Sequence, residues 1–519
     1  MHNIVIGTGP AAAAAILALA DEPAEQITVV DIGERLTDNI VSAVARMNAL
    51  EPALWAASDR DLVVAQPARL AHSNAVLPEK RAYGSSHMFV DRGQLRGLAM
   101  PERGNSSAVS GAVGGFSTIW GAQIMPFSPA TFAHWPFRWH EIEPHYRAVL
   151  EEVPLAAEKD DYAEDFPLLN ARAPLPPVSG RTAQVLHRYE QHRDAIRAAG
   201  IVVGKARLAF SADRCVRCGV CMTGCPYSLI YSASHTVDRF IANGRIKYIP
   251  RVLVTRVDEP AGSTPSVHGI DLATGRTMSL DGDRVFVAAG GLGSTRIALN
   301  SLHTPPSEVD LQEATQFLIP FVSRRSTGDP RGQPDFTLNQ FNVLLKYDDD
   351  AYTTAQVHCY PYNPALDEEL PGWLPRSLRG TVLSRVTAAL GYLPSWQSPR
   401  MRVELRARHP DALPDISVRV VSDRHPAMLR SVLRRLTSVG PKLDLFPVVP
   451  MVRMTGPGNS YHFGSTFPHG SGSDLLGRIG AFQHVHLVDG AVLPSVPSTT
   501  FTLTVMANAH RIVAESLRV

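Results

Sequence analysis

HNIVIGTGPAAAAAILALA (residues 2–20) joins a short apolar run, a glycine turn and an alanine-rich stretch, and its reading decides the fold. Residues 3–6 read as a strand buried on both faces, and the alanines as a helix packed closely on it. Gly7 permits the tight turn, Gly9 lets backbone N–H groups approach a pyrophosphate, and Ala12 takes the third small position where helix meets strand. A lone glycine turn would say little. ITVVDIG (27–33) adds a second strand ending in Asp31, about 20 residues beyond the turn, where a carboxylate can bind ribose hydroxyls. Strand, helix, strand and acid in that order predict a dinucleotide-binding α/β unit.

The chain of 519 residues exceeds the size at which one hydrophobic core keeps growing, so at least two domains are expected. Fifty Lys and Arg against 49 Asp and Glu leave no field for nucleic acid, which is excluded as a partner. The first strand starts beside Met1, leaving no room for a secretory leader, and no run of roughly 18 apolar residues could span a bilayer. A cytoplasmic location is expected.

Beyond the opening unit, SGAVGGFSTIWGAQIMPF (110–127) is a second glycine-rich turn, followed by Trp120 and Gly121. WHEIEPHYRAVLEEV (139–153) and RTAQVLHRYEQHRDAIRAAG (181–200) carry helical periodicity, the latter capped by Gly200. ASHTVDRFIANG (233–244) predicts a helix, KYIPRVLVTRVDE (247–259) a strand, and DRVFVAAGGLGSTRIALNS (283–301) a strand entering a helix through small residues.

Residues 305–455 differ in texture. FNVLLKYDD (341–349), AYTTAQVHCYPYN (351–363), MRVELRAR (401–408) and ISVRVVSD (416–423) alternate between apolar and polar, which predicts an antiparallel sheet. Within this stretch LPGWLPRSLRGTVLSRVTAALGYLPSW (370–396) reads as one amphipathic helix between Trp373 and Trp396. It would be a helix packed on the sheet, a lid or a membrane contact. The expected organisation is a discontinuous Rossmann-type domain over 1–304, with a cysteine-rich loop at 211–228. A substrate-binding domain follows over 305–455, and residues 456–519 return to the first domain.

Cys215, Cys218, Cys221 and Cys225, followed by Pro226, gather four of the five cysteines at the spacing by which ferredoxins hold iron–sulfur clusters. The ligand sets compatible with one such run are a [3Fe-4S] cluster on the first three, a [4Fe-4S] cluster that adds Cys225, or one completed by the distant Cys359. Zinc and a purely structural loop are the alternatives. As a cluster it would pass electrons singly to a quinone, a cytochrome or a small redox protein.

NSYHFGSTFPHGSG (459–472) and HVHLVDGAVLPSVPSTTFTLTVMANAHRIVAES (484–516), with the N-terminal glycine turn, GGFSTIWG and AAGGLGSTR, resemble the glucose–methanol–choline family of FAD-dependent oxidoreductases. The cysteine loop is similar to loops in several branches of that family, among them cluster-bearing sugar dehydrogenases and alcohol oxidases without a cluster. The resemblance implies an enzyme that moves hydride from a CH–OH group of a sugar or hydrophobic alcohol to FAD. It implies His462 as the base, with Thr466, Gly470, Asp489 and Gly490 completing the signature. A neutral imidazole suits removal of the hydroxyl proton. The family usually has histidine or asparagine where this chain has Thr500, which can hydrogen-bond the substrate but cannot act as a base. His469 stands where the family more often has an apolar residue, as a second polar group near the site. By position, FAD would meet Gly7, Gly9 and Asp31, then Gly114, Gly115 and Trp120, then Val254, Asp489 and Gly490. Thr502, at the start of the last helix, would turn that helix's dipole toward the flavin. An oxidase with structural cysteines and a non-redox flavoprotein are the alternative functions.

Overall fold

A computed structural model describes residues 1–64, 81–85, 109–347, 352–368, 370–409, 411–422 and 426–519. The ends of three predicted strands, at 348–349, 351 and 423, lie outside the described residues. The opening stretch forms the strand His2–Ile6 and the helix Pro10–Ala20. That strand is the centre of a parallel sheet ordered Val485–Leu487, Arg284–Val287, His2–Ile6, Gln26–Val30, Lys247–Ile249. Its strands are apolar on both faces because both are covered. On one side the alanines from Ala11 to Ala15 are nearly inaccessible to solvent, and their small side chains let the opening helix press against the final helix, Thr502–Ser516.

The second large sheet is antiparallel. Its order is Phe446–Pro447, Gln316–Val322, Val386–Tyr392, Thr354–Tyr360, Phe341–Lys346, Ile201–Lys205, with Arg453–Met454 also paired to 316–322. Phe317, Ile319, Phe321, Val343, Val357 and Cys359 fill a core beneath it that is shared with the helices Gly180–Arg197 and Pro426–Leu443. The fold class expected from the sequence, a Rossmann-type sheet with antiparallel strands elsewhere, is the one found, but of the four predicted strands Arg400–Ala407 and Asp415–Ser422 lie in a separate four-stranded sheet. Cys359 is an inaccessible strand residue inside that core.

The stretch 370–396 is not one helix. Arg376–Leu383 is helical, and Val386–Tyr392 is a strand in the middle of the antiparallel sheet. Long-range packing overrides the helical periodicity here. A Cβ on Gly391 would sit 2.0 Å from the Phe317 ring, so glycine is what lets that ring lie on the strand. Trp373 stays 81 % exposed, whereas Trp396 stacks on Tyr352 at a centroid distance of 3.9 Å. Among the described residues no helix is long and apolar enough to cross a membrane.

Candidate active site

The turn after the first strand is built by glycine at two positions for different reasons. Gly7 adopts φ +104°, and a Cβ there would meet the Ala288 carbonyl oxygen at 2.5 Å. Gly9 has an ordinary extended backbone, and a Cβ would meet nothing within 4 Å, so the space over it is open. Gly9 is also the N-cap of the opening helix and no side chain caps it, which leaves the first amides of that helix for a ligand. Thr8 ties the neighbouring parts together. Its hydroxyl donates to the Asp31 carboxylate, and its oxygen accepts from the Gly114 N–H at 3.1 Å. The second glycine turn is thereby drawn onto the first, so close that a Cβ on Gly115 would lie 3.2 Å from Gly9 Cα. Asp31 ends the second strand, where burial pushes its carboxyl up to about 7 against the lowering pull of the Thr8 hydroxyl.

Other residues expected near a dinucleotide frame this cradle. Val252 N–H donates to the Asp31 carbonyl at 2.9 Å, so the strand carrying the buried Val254 starts beside the acid. Trp120 donates its indole N–H to the Tyr231 carbonyl at 2.8 Å. Asp489 is buried, accepts from Ser294 Oγ at 2.5 Å and Ala491 N–H at 3.0 Å, and its carboxyl is raised by that burial. The open space over Gly9, the uncapped amides and the buried acids fit FAD. Gly7, Gly9, Asp31, Gly114 and Gly115 would hold its ADP half, and Asp489, Gly490 and Thr502 would face its flavin half.

His462 is fixed by the backbone around it. A Cβ on Gly464 would fall 2.1 Å from the Gly490 carbonyl oxygen, so only glycine lets the following segment lie on the turn after Asp489. There Ser465, Phe467 and His469 donate N–H groups to the carbonyls of Gly490, Ala491 and Val492 at 2.8–2.9 Å. On the other side the His462 carbonyl accepts from Ala314 at 2.9 Å. Next to Ala314, the buried Glu313 carboxylate gathers the N–H groups of Gly458 at 2.7 Å and Ser460 at 2.9 Å. Tyr461 and Ser465 take φ +58° and +59°, strain of the kind that persists where surrounding structure enforces it. Thr466 Oγ1 and Thr295 Oγ1 are 2.6 Å apart, and Gly470 takes φ +85°.

The His462 ring stacks on Tyr392 at 4.9 Å and meets Phe501 at 5.2 Å. Beside Phe501, the Thr500 hydroxyl is buried with no hydrogen-bond partner among the described residues. An orphaned buried hydroxyl costs free energy unless a bound molecule satisfies it. His469 has other neighbours. Its Nδ1 lies 2.6 Å from the Asp474 carbonyl and its Nε2 3.1 Å from Asn508 Nδ2, while burial and then Arg511 bring it down to about 4. Both ring nitrogens serve to hold the 469–474 turn on the final helix.

The cysteines do not assemble as their spacing predicts. Among the described residues no group of three or more His, Cys, Asp or Glu is arranged to hold a metal ion. Cys221 and Cys225 are buried in the core, Cys215 and Cys218 are half-buried, and Cys215 and Cys221 take N–H groups from Arg217 and Thr337 at 3.4 Å. Burial pushes the Cys218 thiol up to about 11 and that of Cys221 to about 12. The structure gives the expected cluster no support.

Sequence reasoning did not single out Tyr392, whose ring stacks on His462, or Glu313, which holds the turn before it; both lie far from His462 in sequence and no local motif marks them.

No family description and no curated protein matches the chain. Among solved structures, pyridoxine 4-oxidase from Mesorbium loti matches with TM-score 0.60 at 14 % identity, covering 100 % of this chain and 99 % of its own. A formate oxidase from Aspergillus oryzae RIB40, studied for FAD modification, matches with TM-score 0.62 at 12 % identity, covering 100 % of this chain and 98 % of its own. At such identities the similarity is one of fold.

Proposed function

We propose that this protein is an FAD-dependent oxidoreductase that oxidises an alcohol to a carbonyl compound and passes the electrons to oxygen. The observation that carries the reading is the contact of the His462 ring with Phe501, the N-cap of the final helix, next in sequence to Thr500 with its orphaned buried hydroxyl. His462 takes the hydroxyl proton, and Thr500 hydrogen-bonds the substrate oxygen. The C–H hydrogen leaves with its electron pair as the C–O bond becomes C=O, and FAD supplies the hydride acceptor. His469 holds the turn beneath the site and touches no reacting atom.

Oxygen as acceptor is favoured over an electron relay by the lack, among the described residues, of a group of three or more side chains that could hold a metal ion. It agrees with the two fold neighbours, each of which is named an oxidase. The iron–sulfur dehydrogenase, handing electrons to a quinone, cytochrome or redox protein, is the reading this displaces. Turnover of a panel of primary and secondary alcohols, pyridoxine included, should release one hydrogen peroxide per carbonyl formed. Turnover that requires a quinone or cytochrome and yields no peroxide would restore the dehydrogenase.

A further inference from the structure

The strand Glu308–Glu313 carries three acids, and they do not share one environment. Glu308 and Asp310 reach solvent and pair with Arg402 and Arg400. Glu313 is inaccessible to solvent and enters no ion pair among the described residues. Burying a carboxylate costs free energy unless hydrogen bonds satisfy it. Here both oxygens are engaged, Oε2 by the Gly458 N–H at 2.7 Å and Oε1 by the Ser460 N–H at 2.9 Å, and the Ser460 hydroxyl adds a third donor. Donors on both oxygens favour the ionised form against the upward push of burial.

These contacts lead to the proposed base. The Ser460 hydroxyl oxygen accepts from the His462 N–H at 3.1 Å, and Ala314, next to Glu313, donates to the His462 carbonyl at 2.9 Å. Strand pairing sets Glu313 opposite Phe463, one residue from His462. The N–H and the C=O of the base are therefore both fixed from residues 313 and 314, the N–H by way of Ser460. Around the imidazole, Tyr392 stacks on it with a hydroxyl that burial raises to about 12. His358 meets Tyr392 at 5.0 Å, held down to about 3 by burial and then by charge on His462. Neither carries charge near neutral pH. The Glu313 anion thus lacks a cation, and in a poorly solvated interior such a charge acts strongly on its neighbours.

We propose that Glu313 is a positioning residue for the base: it sets the backbone of His462 through Ser460, and its unpaired charge stabilises the imidazolium formed as His462 takes the hydroxyl proton. This rests on the alcohol-oxidising reading above. The substrate O–H bond breaks and an N–H bond forms on His462, while the Glu313 carboxylate takes no proton and stays ionised. An anion in this place favours the protonated imidazole, so removing the charge lowers the His462 midpoint and makes the imidazole a weaker base.

The test follows the 13C-labelled Cε1 signals of histidine in FAD-loaded protein against pH, the His462 signal being identified by its loss in His462→Gln. Glu313→Gln should lower the His462 midpoint by about one pH unit, or about tenfold in proton affinity. A carboxylate that only held the turn would leave the midpoint where it was, so an unmoved midpoint in folded Glu313→Gln overturns the inference. If that variant fails to fold, Glu313→Asp and Glu313→Asn, alike in size and different in charge, carry the comparison. The midpoint should then be lower with Asn than with Asp, and equal midpoints overturn the inference. No alcohol enters the measurement, so the two readings fail separately. A lowered midpoint upholds the coupling of Glu313 to His462 even where no alcohol bleaches the flavin, which would sink alcohol oxidation alone. An unmoved midpoint beside alcohol-driven bleaching sinks this inference alone.

Discussion

FAD affinity should fall steeply in mild acid, and Asp31 should be the cause. Burial raises its carboxyl to about 7, above the ordinary carboxylate value. Ribose hydroxyls donating to the ionised form would pull it down again, well below the range of the test. The bound state then has the lower pKa, so binding releases a proton whenever the pH lies between the two values. Affinity is full above about pH 7 and is lost as the pH falls through that value. Between about pH 8.5 and about pH 5.5 the loss works out at about 30-fold, or about 2 kcal/mol. Reconstitution of apoprotein, followed by quenching of flavin fluorescence, measures it. Asp31→Asn should bind FAD more weakly at pH 8.5 and show no slope. A wild-type affinity that stays flat across this range, or a slope that survives in Asp31→Asn, would refute the reasoning.

The two glycines of the first turn should fail differently. Gly7→Ala adds left-handed strain of about 1–2 kcal/mol and a clash of about 1–3 kcal/mol, so thermal denaturation of the apoprotein should come earlier. Gly9→Ala should leave that transition unmoved, since its Cβ enters open space, yet weaken FAD binding in the same titration. Gly391→Ala should destabilise the chain by about 1–3 kcal/mol in denaturant unfolding, because the new methyl meets the Phe317 ring. Protein purified without oxygen should hold neither iron nor sulfide, and Cys218→Ser should turn over at the wild-type rate. Three or four irons per chain with matching sulfide would reinstate the cluster.

The Rossmann unit was legible because its determinants are local. Gly7, Gly9 and Asp31 follow from one strand–turn–helix–strand stretch, and the structure adds only that Thr8 links the acid to Gly114. Of the antiparallel sheet the strands Phe341–Lys346 and Thr354–Tyr360 were legible, but not RVTAALGY, where arginine and leucine spacing imitates a helix. There the deciding contact, Gly391 against Phe317, spans distant segments. Cysteine spacing could not show how the loop is anchored, because its partners Thr337 and Tyr83 lie far from it in sequence.

Anaerobic mixing of FAD-loaded protein with alcohols, followed at the flavin absorbance, tests the central claim most directly. An alcohol substrate should bleach the flavin in a single turnover. His462→Ala should keep its FAD and bleach about 10² to 10⁴ times more slowly, the range for loss of a general base, while Thr500→Ala should slow by about tenfold to a hundredfold. A bound flavin that no alcohol bleaches, or bleaching at the wild-type rate in His462→Ala, would contradict the account.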